Sequence, residues 1–505
     1  MTQQRPTTNP QKIVVIGGGM GGLASAARLA KLGHHVSLYE ASDLLGGKCR
    51  TETINGYSFD VGPSLLTLPA VYRDLFLKTG KRIEHLLKID PVDPSFTYIF
   101  HDGAKVVLPN LSHNGTVSAM AAAFGSKAGE AWHKILTRAE KMWDVSREDF
   151  IENELRPLSF IKRRNLLRDL ATIAPWRSLR SLISSYTDNS HIAKIIDRYA
   201  TYTGSDPRKV PAVLLTIAFV EEAFGAWHIQ GGLGRLGEEL GKRCQELGVD
   251  IHLNSPVAEV MTNNGVATGI KLSSGQIVES QIVIANADAH HLYSSLIPQT
   301  AQTKAPRTAL KRATPSLSGF TLLLGLRGKS DLSHHTVFFP KNYDDEFDAI
   351  FTRKVPVPDP AIYICNPRDP EMVPSENHEA WSVLINAPRH EPGIGCDWDE
   401  PGLKERYAEK IIDLIESRGM KVRERLEVMQ IRTPADLERQ FRAPGGSIYG
   451  TSSNGPRSAF LRAKNRSPIK NLYCVGGSAH PGGGIPLVGL SAEIVANAIA
   501  SKERV

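Results

Sequence analysis

Three glycines carry the first chemistry of this chain. Gly17, Gly19 and Gly22 stand in G-x-G-x-x-G spacing within GGGMGG, and Glu40 follows 18 residues after Gly22. Each glycine answers a separate steric demand: Gly17 a tight turn, Gly19 the approach of a pyrophosphate to the backbone, Gly22 the close packing of a helix on a strand. A helix starting there turns free N–H groups and the positive end of its dipole toward phosphate. A carboxylate at Glu40 accepts hydrogen bonds from ribose hydroxyls and repels a 2′-phosphate. The spacing alone is a weak signal. Its context strengthens it: the β-branched run Lys12–Ile16 before it, a small-residue helix over about 23–32 stopped by Gly33, and a second strand over 36–39 that ends at Glu40.

The next segments identify the dinucleotide. Leu45-Gly46-Gly47-Lys48-Cys49-Arg50-Thr51 follows Glu40 directly. It resembles the G-G-[KR]-x-x-[ST] segment of the two-dinucleotide-binding-domain flavoproteins. The resemblance implies that Gly46, Gly47, Lys48 and Thr51 lie along the FAD diphosphate. Gly56–Ser64 (GYSFDVGPS) and the LLTLP that follows it are similar to the bacterial-type phytoene (carotenoid) desaturase family. Within this stretch Asp60 is either a catalytic acid or base or, more in keeping with an Asp before Val-Gly-Pro, a turn cap. Gln230-Gly231-Gly232-Leu233, the strand pair over 257–261 and 266–271, and Ile282–Asp288 (IVIANAD) resemble the rest of a flavoprotein FAD domain, with adenine held by backbone near Val257.

The C-terminal segment NLYCVGGSAHPGGGIPLVGLSA is the most specific match, to the family signature N-L-[FY]-x-x-G-x-x-x-H-P-G-x-G-x-P. It departs from that family at Cys474 and Gly483, where aliphatic and small β-carbon residues are usual. Gly476, Gly477, Gly482 and Gly483 present no side chain to a flat ring, and Pro481 stiffens the path. A helix from about Leu487 would aim its positive end at the flavin N1–C2=O edge and favour the anionic reduced ring. His480 either bonds the cofactor or caps the turn.

The elements that must position these groups spell an α/β chain. The expected architecture is a Rossmann-like FAD-binding domain of the two-dinucleotide-binding-domain type, a substrate domain and a helical membrane-facing region. The divisions expected are a flexible tail over 1–11, FAD-binding parts over 12–110, 228–290 and 466–505, a helical membrane and substrate region over 111–227, and a substrate domain over 291–465. The 505 residues carry 41% hydrophobic and 22% charged side chains, which excludes a disordered, collagen-like or coiled-coil chain. Five dispersed cysteines with no C-x-x-C pair argue against a disulfide framework or a zinc ribbon and fit a reducing cytoplasm. No metal site is expected. The histidine pairs at 34–35, 290–291 and 334–335 lack ligand spacing and read as surface residues.

The formal charge of +7 is mild, and no nucleic-acid partner is expected. The excess is local: Arg156, Lys162, Arg163, Arg164, Arg168, Arg177 and Arg180 stand against a single acid, Asp169. Phe160, Leu166, Leu167, Leu170, Ile173 and Ala174 share one side of a helical wheel, with Trp176 placed for headgroup depth. This is the pattern of an interfacial helix, so a peripheral membrane surface is an expected partner. The most apolar stretch, Pro211–Val220, is about half the roughly twenty residues a spanning helix needs. Tyr199–Gly204 and Pro211–Trp227 are apolar or aromatic and could line a tunnel for a polyene.

The family resemblance implies hydride transfer from an allylic C–H of a carotenoid to FAD, with phytoene as the leading substrate. Desaturases or oxygenases of already modified carotenoids (hydroxycarotenoid 3,4-desaturase or diapocarotenoid types) and a redox-neutral isomerase share these motifs. An amine oxidase fits the C-terminal segment less well. A flavin-free lipid escort fits poorly with an intact glycine turn and Glu40.

Overall fold

The computed structural model describes residue 7 and residues 9–155, 165–456 and 458–502. Most of the tail expected over 1–11 therefore lies outside the described residues. Five parallel strands organise the nucleotide-binding end. They are β1 (Lys12–Ile16), β2 (His35–Tyr39), β3 (Asp250–His252), β4 (Ile282–Ala285) and β5 (Leu472–Cys474), in the spatial order β5-β4-β1-β2-β3. Strands of a parallel sheet are covered on both faces and so read as continuous apolar runs. Ile13–Ile16 and Ile282–Ala285 are buried throughout.

Helices α1 (Met20–Lys31), α2 (Gly234–Glu246) and α3 (Ile485–Lys502) cover one face of this sheet, with Leu23, Leu29, Leu236, Leu240, Val495 and Ile499 in the shared core. On the other face lies an antiparallel three-stranded sheet (257–263, 266–272, 277–279), packed through Val260, Ile270 and Val283. Both α1 and α3 begin earlier than the sequence pattern suggested, at Met20 and Ile485. Met20–Leu29 is buried along its whole length, and that packing outweighs the poor helix propensity of Gly21 and Gly22.

The chain leaves β1 toward β2 on one side and meets β4 on the other, so the strand order reverses at β1. Open α/β sheets bind ligands beyond the carboxyl ends of their strands at such a reversal. Gly17, Glu40, Asn286 and Gly476 all sit there, although the sequence scatters them over 460 residues.

A seven-stranded mixed sheet forms the second body. It combines Phe96–Ile99 and Lys105–Leu108 from the first part of the chain with strands from Ser318 to Arg432. Helix Leu403–Ser417 covers one face of it through Ile411, Ile412 and Ile415. Helices between His113 and Phe224 pack as a separate cluster against Phe96, Tyr98 and Phe339. Among the described residues no helix is long and apolar enough to cross a membrane.

Candidate active site

The glycine turn is held by backbone. Gly17 N–H donates to Tyr39 O at 2.8 Å, Asn286 N–H to Ile16 O at 2.8 Å, and Gly46 N–H to Gly18 O at 2.8 Å. The Gly46-Gly47 loop thus crosses directly over the turn. A Cβ on Gly47 would lie 2.9 Å from Gly19 Cα, and one on Gly19 would lie 2.7 Å from Asn286 Nδ2. Neither position has room for a Cβ, because Gly47 packs on the Gly19 backbone and Gly19 on the Asn286 side chain. Asn286 went unrecognised in the sequence as a member of the site. Its signal was present, as the residue that directly follows the IVIA strand.

Glu40 accepts from Gly18 N–H at 2.7 Å through Oε2, and from Ser42 N–H and Oγ–H, each at 2.9 Å, through Oε1. A carboxylate offers about four lone-pair sites, so one on Oε2 remains for a ribose hydroxyl. Glu40 N–H also donates to His252 O, and Ser255 N–H to Glu40 O, which brings the start of the Val257 strand beside Glu40. Val257 is buried and pairs with Leu272. The residues expected around ribose and adenine therefore converge in one corner, and they fit FAD.

Farther along, side chains do different work from the glycines. Lys48 Nζ donates to Ile448 O at 2.8 Å and is close to Ser447 O, and burial lowers its pKa. Its ammonium therefore reaches the loop at Ser447 and Ile448, while the Gly46-Gly47 backbone lies against the glycine turn. Asp60 Oδ1 accepts from Thr51 Oγ1 at 2.6 Å and from Leu233 N–H at 2.9 Å, while Thr51 Oγ1 accepts from Gly234 N–H at 3.0 Å. Asp60 and Thr51 together cap the start of α2. Burial pushes the Asp60 carboxyl up to about 6, with the Thr51 hydrogen bond opposing.

At the C-terminal segment, Val475 N–H donates to Ala285 O at 3.0 Å and Gly476 N–H to Ser491 Oγ at 3.3 Å. Gly477 O accepts from Arg462 Nη1 at 2.7 Å, and Arg462 also donates to Tyr449 O and Thr451 O. This buried arginine holds the glycine path in place, and nothing in its local sequence marked it. The Tyr449 ring lies against Gly483, where a Cβ would fall 2.4 Å from Cδ1. His480 is buried. Its Nε2 meets Asn153 O at 2.9 Å, and its carbonyl accepts from Asn465 Nδ2 and Ser491 Oγ, each at 2.8 Å. Of the two roles open to it in the sequence, its hydrogen bonds are those of a turn holder. Pro481 and Gly482 continue the path between His480 and Gly483.

Two expectations are corrected by the tertiary structure. The histidine pairs are not uniformly surface residues: His34 is 5% exposed and His335 0%. Tertiary packing buries them where sequence spacing could not show it. His334 and His335 approach Cys365, with one ligand atom from each within 4.8 Å of the others. The stretch Tyr199–Gly204 is not simply an apolar wall either. Tyr199 and Tyr202 both donate to the buried Glu221, each at 2.7 Å, beside a buried Arg198.

The chain matches the family described as flavin containing amine oxidoreductase over residues 20–375. It is 29% identical to a 4,4′-diapolycopene oxygenase from Methylomonas sp. over 97% of this chain and 98% of that protein. It is 32% identical to a 1-hydroxycarotenoid 3,4-desaturase from Flavobacterium sp. (strain P99-3), over 97% of this chain and 99% of that protein. Its fold is shared with an oxidoreductase from Methanosarcina mazei at a TM-score of 0.66 and 17% identity, covering 96% of this chain and 100% of that one. The glycine cradle, the Glu40 corner and these full-length similarities lead to one statement: the chain belongs to the flavin-containing amine oxidoreductase family and, within it, to the FAD enzymes of carotenoid desaturase type.

Proposed function

We propose that this enzyme oxidises carotenoids already modified near their ends, as a hydroxycarotenoid desaturase or a diapocarotenoid oxygenase does, and that phytoene is not its main substrate. The observation that carries this reading is that relatives matching 97% of the chain bear those activities in their names. FAD supplies a hydride acceptor when bound. The chain's own residues hold and enclose it: Gly17, Gly19, Gly46 and Gly47 at the diphosphate, Glu40 at the ribose, and Gly476, Gly477 and Gly483 at the ring. Asp60 and His480 are both occupied by backbone partners, so neither is assigned proton transfer.

The test is a parallel assay with phytoene, a hydroxylated acyclic carotenoid and a diapocarotenoid. The expected outcome is new double bonds or new oxygen in an end-modified substrate, with phytoene unconverted. Conversion of phytoene alone would refute the reading.

The same proposal includes a cytoplasmic, peripheral seat on the membrane that holds the polyene. Leu167 is 85% exposed and Trp176 69%, both on the segment around helix Leu166–Ile173. Arg180 is drawn out of the cationic patch toward Asp197 and Asp344, while Arg156, Lys162, Arg163 and Arg164, with Phe160, lie outside the described residues. The apolar arc also divides, since Ile173 and Ala174 face the core. Replacing Leu167 and Trp176 together by Ser, with Arg168→Glu, is expected to weaken flotation with anionic vesicles by at least about 10-fold, given ~1.5–3 kcal/mol for each large apolar side chain withdrawn. Unchanged flotation would remove these residues from the membrane contact.

A further inference from the structure

Arg198 is a buried cation enclosed by aromatic rings. Its Cζ lies 5.0 Å from the Phe96 ring centre, 4.9 Å from Tyr202, 5.3 Å from Tyr363 and 6.0 Å from Tyr98. Rings at these distances stabilise a guanidinium through its faces. They leave the N–H groups, which lie in its plane, needing acceptors. Among the described residues it makes one hydrogen bond within the protein, from Nη1 to Tyr202 Oη at 2.6 Å. The Tyr98 hydroxyl beside it is also buried and meets no partner in hydrogen-bond geometry. Buried polar groups are ordinarily satisfied, so the unpartnered Tyr98 hydroxyl, set beside the Arg198 guanidinium, calls for a polar partner that the protein does not supply.

Two sets of contacts connect the box to the flavin cradle. Tyr363 Oη lies 2.9 Å from Ser64 Oγ, and Ser64 ends the Gly62-Pro63 turn that packs on Lys48 O. On the other side Gly204 abuts Tyr449, the residue that rests on Gly483. The charge is already balanced nearby. Glu221 accepts from both Tyr199 and Tyr202, and through Tyr202 it is one hydroxyl away from Arg198. A second carboxylate would be an uncompensated charge in this interior, whereas a neutral oxygen would complete it.

We infer that Arg198 and the Tyr98 hydroxyl, framed by the Tyr202 and Tyr363 rings, seat a neutral oxygen, a hydroxyl or an aldehyde, at the end of the polyene. This rests on the proposed function and deepens it. In the relative named a 1-hydroxycarotenoid 3,4-desaturase, the hydroxyl is only a few covalent bonds from the bond named as oxidised, so a polar seat beside the cradle would set which bond meets the flavin. Arg198 is in this role a positioning residue.

The experiment measures binding to the FAD-loaded enzyme of a conjugated polyene alcohol, its hydrocarbon parent and the matching carboxylate, by quenching of tryptophan fluorescence. Sites built to bond a hydroxyl discriminate strongly against analogues lacking it. The wild type is expected to favour the alcohol over the hydrocarbon by about 100-fold or more and over the carboxylate as well. Arg198→Met is expected to abolish the preference. Because that variant strands Glu221, the charge-balanced pair Arg198→Met with Glu221→Gln is measured beside it. Equal binding of alcohol and hydrocarbon by the wild type, tighter binding of the carboxylate, or a preference surviving in both variants would overturn the seat. Alcohol preference without turnover of any polyene would retire the proposed reaction and leave the seat standing. Turnover with no preference would do the reverse.

Discussion

Gly22→Ala yields a protein that no longer retains FAD. A Cβ at this position would lie 2.0 Å from Gly17 O and 3.3 Å from Asn286 Cβ. The nearer clash is with backbone, so no rotamer relieves it. The start of α1 must move away from β1, and the phosphate turn moves with it. Overpacking of this kind costs up to about 3 kcal/mol, which in affinity is about 100-fold. Purified Gly22→Ala should lack the flavin absorbance of the wild type, and a titration with added FAD should show the shifted dissociation constant. A yellow, fully loaded variant would mean that the cofactor does not sit on this turn.

Asp60 divides into two variants with opposite expectations. Asp60→Asn keeps an acceptor oxygen for both Thr51 Oγ1 and Leu233 N–H, the two partners that share Oδ1. Turnover should therefore stay close to wild type. Were Asp60 the proton acceptor, the same change would cost roughly 100- to 10,000-fold. Asp60→Ala instead leaves a buried Leu233 N–H without a partner, at about 1–3 kcal/mol, and loosens the start of α2. That variant should lose thermal stability and flavin together.

The same carboxyl predicts a pH dependence. Asp60 stands at about 6 in the folded chain against an ordinary 3.8, and Glu346, buried under the second sheet, at about 7 against 4.5. Both are raised by burial, so the folded chain binds these protons more tightly than the unfolded one. Their contribution to stability is present below about pH 4 and is lost as the pH rises through about 6 and 7. For each group it is on the order of 3 kcal/mol. The melting temperature should fall between pH 5 and pH 7.5 from these two groups, and Asp60→Asn should flatten the lower part of that slope. A slope unchanged in Asp60→Asn would show that the carboxyl titrates at its ordinary value.

The groups that need only backbone were legible in the sequence. Gly17, Gly19, Gly22, Gly46 and Gly47 act by having no side chain, and they act within a few residues of the strand and helix that flank them. Glu40 acts at the end of the strand that follows. Such features survive as spacing in one dimension, and the structure sets all of them at the carboxyl ends of one parallel sheet. The Arg156–Arg180 stretch was legible as a charge excess beside an apolar arc. Its helical wheel gave no sign that Arg180 would turn to Asp197 and Asp344.

Everything that depends on a partner far away in the chain was decided by tertiary structure. Asp60 is a cap because Leu233, 173 residues on, is folded against it, and His480 is a turn holder because Asn153 meets its ring. Arg198 becomes a seat only where a strand at Phe96–Tyr98, a helix at Arg198–Tyr202 and a strand at Tyr363 are brought together. The physical reason is the same in each case. A glycine's freedom is a property of its own backbone, whereas a side chain's role is set by which hydrogen-bond partners and how much water remain once the chain has packed.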